Sequence, residues 1–269
     1  MPALRRIFTR TAVPIVGIAV ALVCAAPAQA LPTPGDLADV PARTSISYED
    51  IPTGTYVGSA EDNSARPGLS TVKLYMADYV VRFGDGSPRD LDLAARMVQV
   101  SDDGAASTLD NKYPQAISAT AAEYGLTSTS RGGFWGNSST STADTVRFLA
   151  AKNRTDPASP VLAWMNTAAP VARDGMVQDW GTKQLPGVTG SKWGWADDRS
   201  SVVASASIGD GFVIASNTYG PPRSNTDDVM AGLGGIELTA PPAAAPVPNL
   251  PVIPGLPSVE ELLQMLAPR

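Results

Sequence analysis

Ser70 and Lys73 stand three residues apart in "GLSTVKLYMADYVVRF" (68–83), where a segment with helical hydrophobic spacing begins. On a helix that separation is one turn and one face, so the hydroxyl and the amine are neighbours. Amides at a helix start can stabilise an oxyanion beside a serine Oγ. A desolvated lysine gives up its proton more readily and can then take the serine's. The pair therefore reads as a nucleophile and its base. It also reads as an N-cap serine followed by a solvated lysine, and burial separates the two. Of lysines 73, 112, 152, 183 and 192, only Lys73 follows a serine by three residues.

Two further stretches carry groups of the right kind. Ser101-Asp102-Asp103 follows a helical segment and offers a hydroxyl for proton relay and a carboxylate to orient a substrate amide, or else a polar helix stop before Gly104. Ser191-Lys192-Trp193-Gly194 lies in a strand-like segment. A lysine and a glycine there let an extended substrate pair with the strand edge while the cation meets a carboxylate. The alternative is a solvated lysine beside a core tryptophan.

The chain has no histidine. That removes the Ser-His-Asp triad, the Cys-His dyad and the usual zinc sites, and no metal or other cofactor is expected. Acyl transfer would then need a lysine, a carboxylate or a water held by one as its base. Arg5, Arg6 and Arg10, the apolar run "IVGIAVALVCAA" and Ala28-Gln29-Ala30 read as an export leader cleaved after Ala30. Lipidation at Cys24 ranks second, because Val23 precedes it where a small residue is required. The lone cysteine leaves with the leader, so the mature chain, expected outside the cytoplasm, cannot form a disulfide. The formal net charge is −6 and becomes more negative when the three leader arginines go. That disfavours nucleic acid and anionic membrane as partners. No further apolar run predicts stable membrane insertion.

The elements that must position these groups follow from periodicity. Residues 31–45 carry three prolines and read as an irregular lead-in. One or two strands are expected over 45–60. Helices are expected over about 69–83, with Val72, Tyr75, Met76, Tyr79, Val80 and Phe83 inward, from Ser87 to about Val100, over about 113–124, from Ser141, and after Asp156-Pro157. Residues 127–141 form a polar, Gly-rich loop. Strands are expected over 188–195, 201–208 and 211–219, the last two joined by a Gly209-Asp210-Gly211 hairpin turn. The order strand, helices, antiparallel strands predicts an α+β fold whose sheet uses both chain ends. Residues 46–236 then form one domain, and the proline-dense 237–269 a solvated tail with a possible short helix over 258–266.

Taken in order, Ser-x-x-Lys at a helix start, a Ser-Asp-Asn-like triplet and a Lys-Thr-Gly-like triplet on a strand resemble the class A β-lactamases and penicillin-binding proteins. "SSTSTADTVRFLAA" is similar to a helix of these enzymes, and "DGFVIASNTYG" to the strand after their hairpin. The resemblance covers roughly residues 45–220. It implies a helical domain beside an antiparallel sheet, acylation of Ser70, Lys73 as base and Ser101 as relay. It assigns Asp103 to the amide-orienting place, and Lys192, Trp193 and Gly194 to the substrate strand. The implied substrate is a peptidoglycan-like acyl-D-alanyl peptide or a β-lactam, and the implied source an exported bacterial protein. Asp103 replaces the usual asparagine. Trp193 replaces a threonine or serine whose hydroxyl contacts the substrate carboxylate. The separation of Ser70 from Ser101 is shorter than in the family. No deacylating glutamate is evident; the context of Glu123 does not match. These departures imply a slow acyl-enzyme or D,D-peptidase, or a non-catalytic relative that binds wall material or a protein partner.

Overall fold

The computed structural model describes residue 37 and residues 39–233; the leader and the proline-dense tail lie outside the described residues. Strand β1 (Thr44–Asp50) opens the domain, slightly ahead of the expected start at 46, and pairs antiparallel with β2 (Tyr56–Gly58). Near the other end, β5 (Val188–Trp195), β6 (Val203–Gly209) and β7 (Phe212–Thr218) form an antiparallel meander. The five strands make one sheet in the order β2-β1-β7-β6-β5, closed by the pairing of β1 with β7. The sheet is thus built from both ends of the domain, as the element order implies. A second, two-stranded ladder pairs β3 (Arg66–Pro67) with β4 (Ser139–Thr140).

Alternation along the strands sends side chains to two cores. From β6 and β7, Ala206, Ile208, Val213 and Ala215 face the large helical core. Ile46, Tyr48, Phe212 and Ile214 face a second core with Leu37, Val229 and Leu233. Both faces being covered explains why β1 is buried along its whole length. The second face is covered by α7 (Pro222–Gly232). That helix lies in a stretch that sequence reading left unassigned, because Pro221-Pro222 and a run of Asn, Thr and Asp mask its period. A proline at the first turn is compatible with a helix, since its missing N–H has no intrahelical partner there.

The helical layer is centred on α1 (Lys73–Phe83), in which Leu74, Tyr75, Met76, Ala77 and Val80 are buried. Each such large side chain contributes about 1.5–3 kcal/mol. A helix apolar on nearly every face belongs inside a domain. Phe83, expected to point inward, is exposed: it is the last residue of the helix, and its ring sits 4.7 Å from the Arg82 guanidinium carbon. Around α1 pack α2 (Pro88–Gln99), α3 (Asp103–Lys112), α4 (Ala116–Tyr124) and α6 (Pro160–Asn166). Helix α5 (Thr142–Thr155) lies against β1 and β7.

Caps explain most of the boundaries. Ser87 Oγ accepts the Asp90 amide at the start of α2, and Ser141 Oγ accepts the Asp144 amide at the start of α5. The Asp144 carboxylate accepts from Ser128 N and Thr129 Oγ1, so it pins the 127–141 loop. Gly125, at φ 64°, ends α4 in the left-handed region. Helix α3 replaces the polar stop expected after Ser101. Asp102 caps it by accepting the Ala105 amide at 3.0 Å. No helix among the described residues is long and apolar enough to cross a membrane.

Candidate active site

Ser70 sits on a 3₁₀ turn, Leu69–Val72, that runs directly into α1. Neither helix start has a side-chain cap, so Ser70 is not an N-cap serine. Leu69 holds φ 50°, a left-handed conformation that costs a non-glycine residue of order 1–3 kcal/mol. Strand β5 crosses this turn closely. A Cβ built on Gly194 would lie 2.6 Å from Ser70 N and 2.7 Å from Leu69 Cβ. Glycine is therefore required there for the strand to lie against the Ser70 backbone.

Lys73, one turn on, is fully buried, so the solvated-lysine reading of the pair fails. Its ammonium donates to Ser101 O at 2.9 Å, to Asp103 Oδ1 at 2.5 Å and, at a longer 3.4 Å, to Ser101 Oγ. It also lies 4.5 Å from the centre of the Trp135 ring, within range of a cation–π attraction. Burial lowers the Lys73 pKa below the ordinary lysine value, and the Asp103 carboxylate, with Asp102 and Asp174 farther off, partly offsets this.

Lys192 approaches from β5. Its Nζ donates to Ser101 Oγ at 2.8 Å and to the carbonyl of Trp193 at 3.0 Å. It too is fully buried. Desolvation lowers its pKa well below the ordinary value, repulsion from Lys73 lowers it further, and Asp103 raises it in part. Ser101, at φ 54°, occupies a left-handed position in the junction between α2 and α3. Asp102 fixes that junction: besides capping α3 it accepts from Arg96 Nε at 3.1 Å and lies 3.4 Å from Arg173 Nε.

Ser70, Ser101 and Asp103 open onto one cleft of about 510 Å³. Its other walls come from Phe134, Trp135 and Asn137 in the 127–141 loop, from Asp174, and from Trp195, Asp197 and Arg199 at the end of β5 and its turn. Asp174 accepts from Trp195 Nε1 at 3.1 Å and from Arg199. The loop is anchored by Asp110, which receives a two-pronged bond from Arg131 at 2.8 and 2.7 Å and the Trp135 amide at 3.2 Å. Among the described residues, Ser70 Oγ makes no hydrogen bond within the protein.

Six of the seven residues singled out in the sequence meet around this cleft: Ser70, Lys73, Ser101, Asp103, Lys192 and Gly194. Trp193 does not. Strand alternation turns it to the other face of β5, where it packs with Trp180 and Val203 and donates from Nε1 to Trp180 O at 2.9 Å. The ring that reaches the cleft is Trp195, two residues on. Period-two counting from Lys192 turns Trp193 to the opposite face, but it gives Trp195 the same face as Trp193; Trp195 reaches the cleft as the last residue of the strand, which counting does not reveal. Phe134, Trp135, Asp174 and Arg199 were missed, as they lie on loops without a periodic signal. Glu123 pairs with Arg82 and takes no part in the cleft lining.

No family model and no curated protein matches the sequence. Solved structures do match. A D-alanyl-D-alanine carboxypeptidase from Mycobacterium tuberculosis superposes with a TM-score of 0.52 at 21% identity, covering 78% of this chain and 96% of that one. A carbapenemase from Vibrio cholerae gives a TM-score of 0.55 at 14% identity, covering 75% and 98%. Penicillin-binding protein D2 from Listeria monocytogenes gives 0.51 at 16%, covering 70% and 96%. The chain has the β-lactamase/penicillin-binding-protein fold. In that fold the cleft described above lies where the helical layer meets the free edge of the sheet at β5, and the expected α+β architecture stands.

Proposed function

We propose that this β-lactamase-like protein is an exported serine hydrolase of the D,D-peptidase or β-lactamase type. Ser70 is the nucleophile, and it is acylated by a peptidoglycan-like acyl-D-alanyl peptide or by a β-lactam. The observation that carries this reading is the placement of Ser101 Oγ within hydrogen-bond reach of both Lys73 and Lys192, in the same cleft as Ser70. A hydroxyl between two buried amines is a proton relay, and it needs no histidine. The close passage of β5 at Gly194 sets the strand backbone against the Ser70 amide, and amide donors at such a junction can stabilise the oxyanion of a tetrahedral intermediate.

Deacylation is expected to be slow. Two of the three cleft carboxylates are held, Asp103 by Lys73 and Asp174 by Trp195 and Arg199, and the third, Asp197, sits on the exposed turn after β5. Arg199 supplies a cation on the cleft rim for a substrate carboxylate. A second reading, a non-catalytic binder of wall peptides or of a protein partner, is favoured by the Lys73–Asp103 ion pair, which occupies an amine that would otherwise face Ser70. Intact mass spectrometry after incubation with a penicillin separates the two. A penicilloyl adduct supports the hydrolase; its absence with several lactams and acyl-D-Ala esters supports the binder.

A further inference from the structure

The two buried lysines of the cleft are not equivalent. Lys73 faces a carboxylate from α3 (Asp103), the Ser101 carbonyl and hydroxyl from the α2–α3 junction, and the Trp135 ring from the 127–141 loop. Every one of these stabilises a cation. Lys192 faces the Ser101 hydroxyl, the carbonyl of Trp193 on its own strand, and the positive Lys73 from α1. Among the described residues no carboxylate lies within ion-pair distance of it. Burying an unpaired ammonium is costly, and the group sheds its proton instead. The shared hydroxyl sorts the pair: an ammonium on one side donates to Ser101 Oγ, and a neutral amine on the other accepts its proton.

We propose that Lys192, reached through Ser101, is the amine that takes the proton of Ser70, and that Asp103 holds Lys73 as the ammonium of the pair. This rests on the acylation reading above. As the bond from Ser70 Oγ to the acyl carbon forms, the Ser70 proton passes to Ser101 Oγ. The Ser101 proton passes in turn to Lys192 Nζ, which becomes the ammonium. When the scissile C–N bond breaks, Lys192 returns a proton through Ser101 to the leaving nitrogen. Lys73 keeps its proton throughout and offsets the charge that develops near Ser70. The carboxylate of Asp103 thus fixes which lysine works, a role that an amide side chain at this position could not fill.

The test is the order in which the two lysines titrate. Lysine labelled with ¹³C and ¹⁵N gives one Cε–Nζ pair for each of the five lysines. Lys192→Arg and Lys73→Arg assign the two pairs of the cleft. As pH is raised, Lys192 should become a neutral amine before Lys73, and Asp103→Asn should move the Lys73 transition to lower pH. Lys73 titrating first, or with Lys192, overturns the proposal, as does an unmoved Lys73 in Asp103→Asn. Should Lys192→Arg fail to fold, the Lys73→Arg spectrum decides alone: the first-titrating signal retained supports the proposal, and that signal lost overturns it. The rate of penicilloyl adduct formation should rise with pH along the Lys192 transition. A rate that follows Lys73 overturns the proposal but leaves acylation standing. No adduct at any pH, with Lys192 still first, overturns acylation and leaves the proton order standing.

Discussion

Lys73 and Lys192, from the first turn of α1 and from strand β5, reach one hydroxyl, Ser101 Oγ, at 3.4 and 2.8 Å. Among the described residues, no other ties the helical layer to the sheet edge at that point through two cations. Ser101→Ala leaves both amines without their shared partner and removes the relay. The rate of penicilloyl adduct formation should fall about 10²- to 10⁴-fold, the usual value of a positioned proton-transfer group. Stopped-time mass spectrometry measures it, and an unchanged rate would remove Ser101 from the chemistry.

Gly194 gives a steric prediction. A methyl group there meets Ser70 N at 2.6 Å, and backbone on both sides cannot give way cheaply. Gly194→Ala should cost about 1–3 kcal/mol of stability, as overpacking does. It should also slow acylation, because the turn carrying Ser70 must move. Urea unfolding and adduct rate check the two parts separately.

Trp193 should behave in the opposite sense. Its ring lies off the cleft, so Trp193→Phe loses only the bond to Trp180 O and leaves a buried acceptor unpaired, at about 1–3 kcal/mol. The adduct rate should stay close to wild type. A ring standing on the substrate strand in place of a contacting hydroxyl, as the family resemblance implied, would instead make the rate sensitive to substitution here.

The fold and the polar centre were legible because they rest on short-range signals. Ser87 and Ser141 announce their helices, the Gly209-Asp210-Gly211 turn announces a hairpin, and the three spaced motifs mark the elements that converge. What escaped depends on tertiary context. Helix α3 begins Asp103-Gly104 and holds Asn111, poor helix formers that survive because Asp102 caps them and Leu109 is buried. Helix α7 hides behind two prolines. Alternation from Lys192 turns Trp193 away from the cleft, whereas Trp195, of the same parity, reaches it as the last residue of β5, which spacing does not encode. The Lys73–Asp103 pair joins residues thirty apart in sequence and could not be read from either motif by itself.

The depressed lysines predict a pH dependence of stability. Between the folded and unfolded pKa values of Lys192, the unfolded chain binds more protons than the folded one, so stability rises with pH through that window. Lys192→Met removes this term. The melting temperature of the wild type, relative to Lys192→Met, should therefore improve as pH rises toward the ordinary lysine range. A constant difference would mean that Lys192 titrates normally. Above the ordinary tyrosine range both proteins should lose stability as pH rises, because burial holds the Tyr75 phenol up at about 12 and the unfolded chain then loses protons first.

The central claim is that Ser70 is a nucleophile. Intact mass spectrometry of the mature protein after incubation with benzylpenicillin should show a single penicilloyl increment, mapped by peptide digestion to Ser70 and absent from Ser70→Ala. An unmodified wild type, or an increment that persists in Ser70→Ala, would contradict the account.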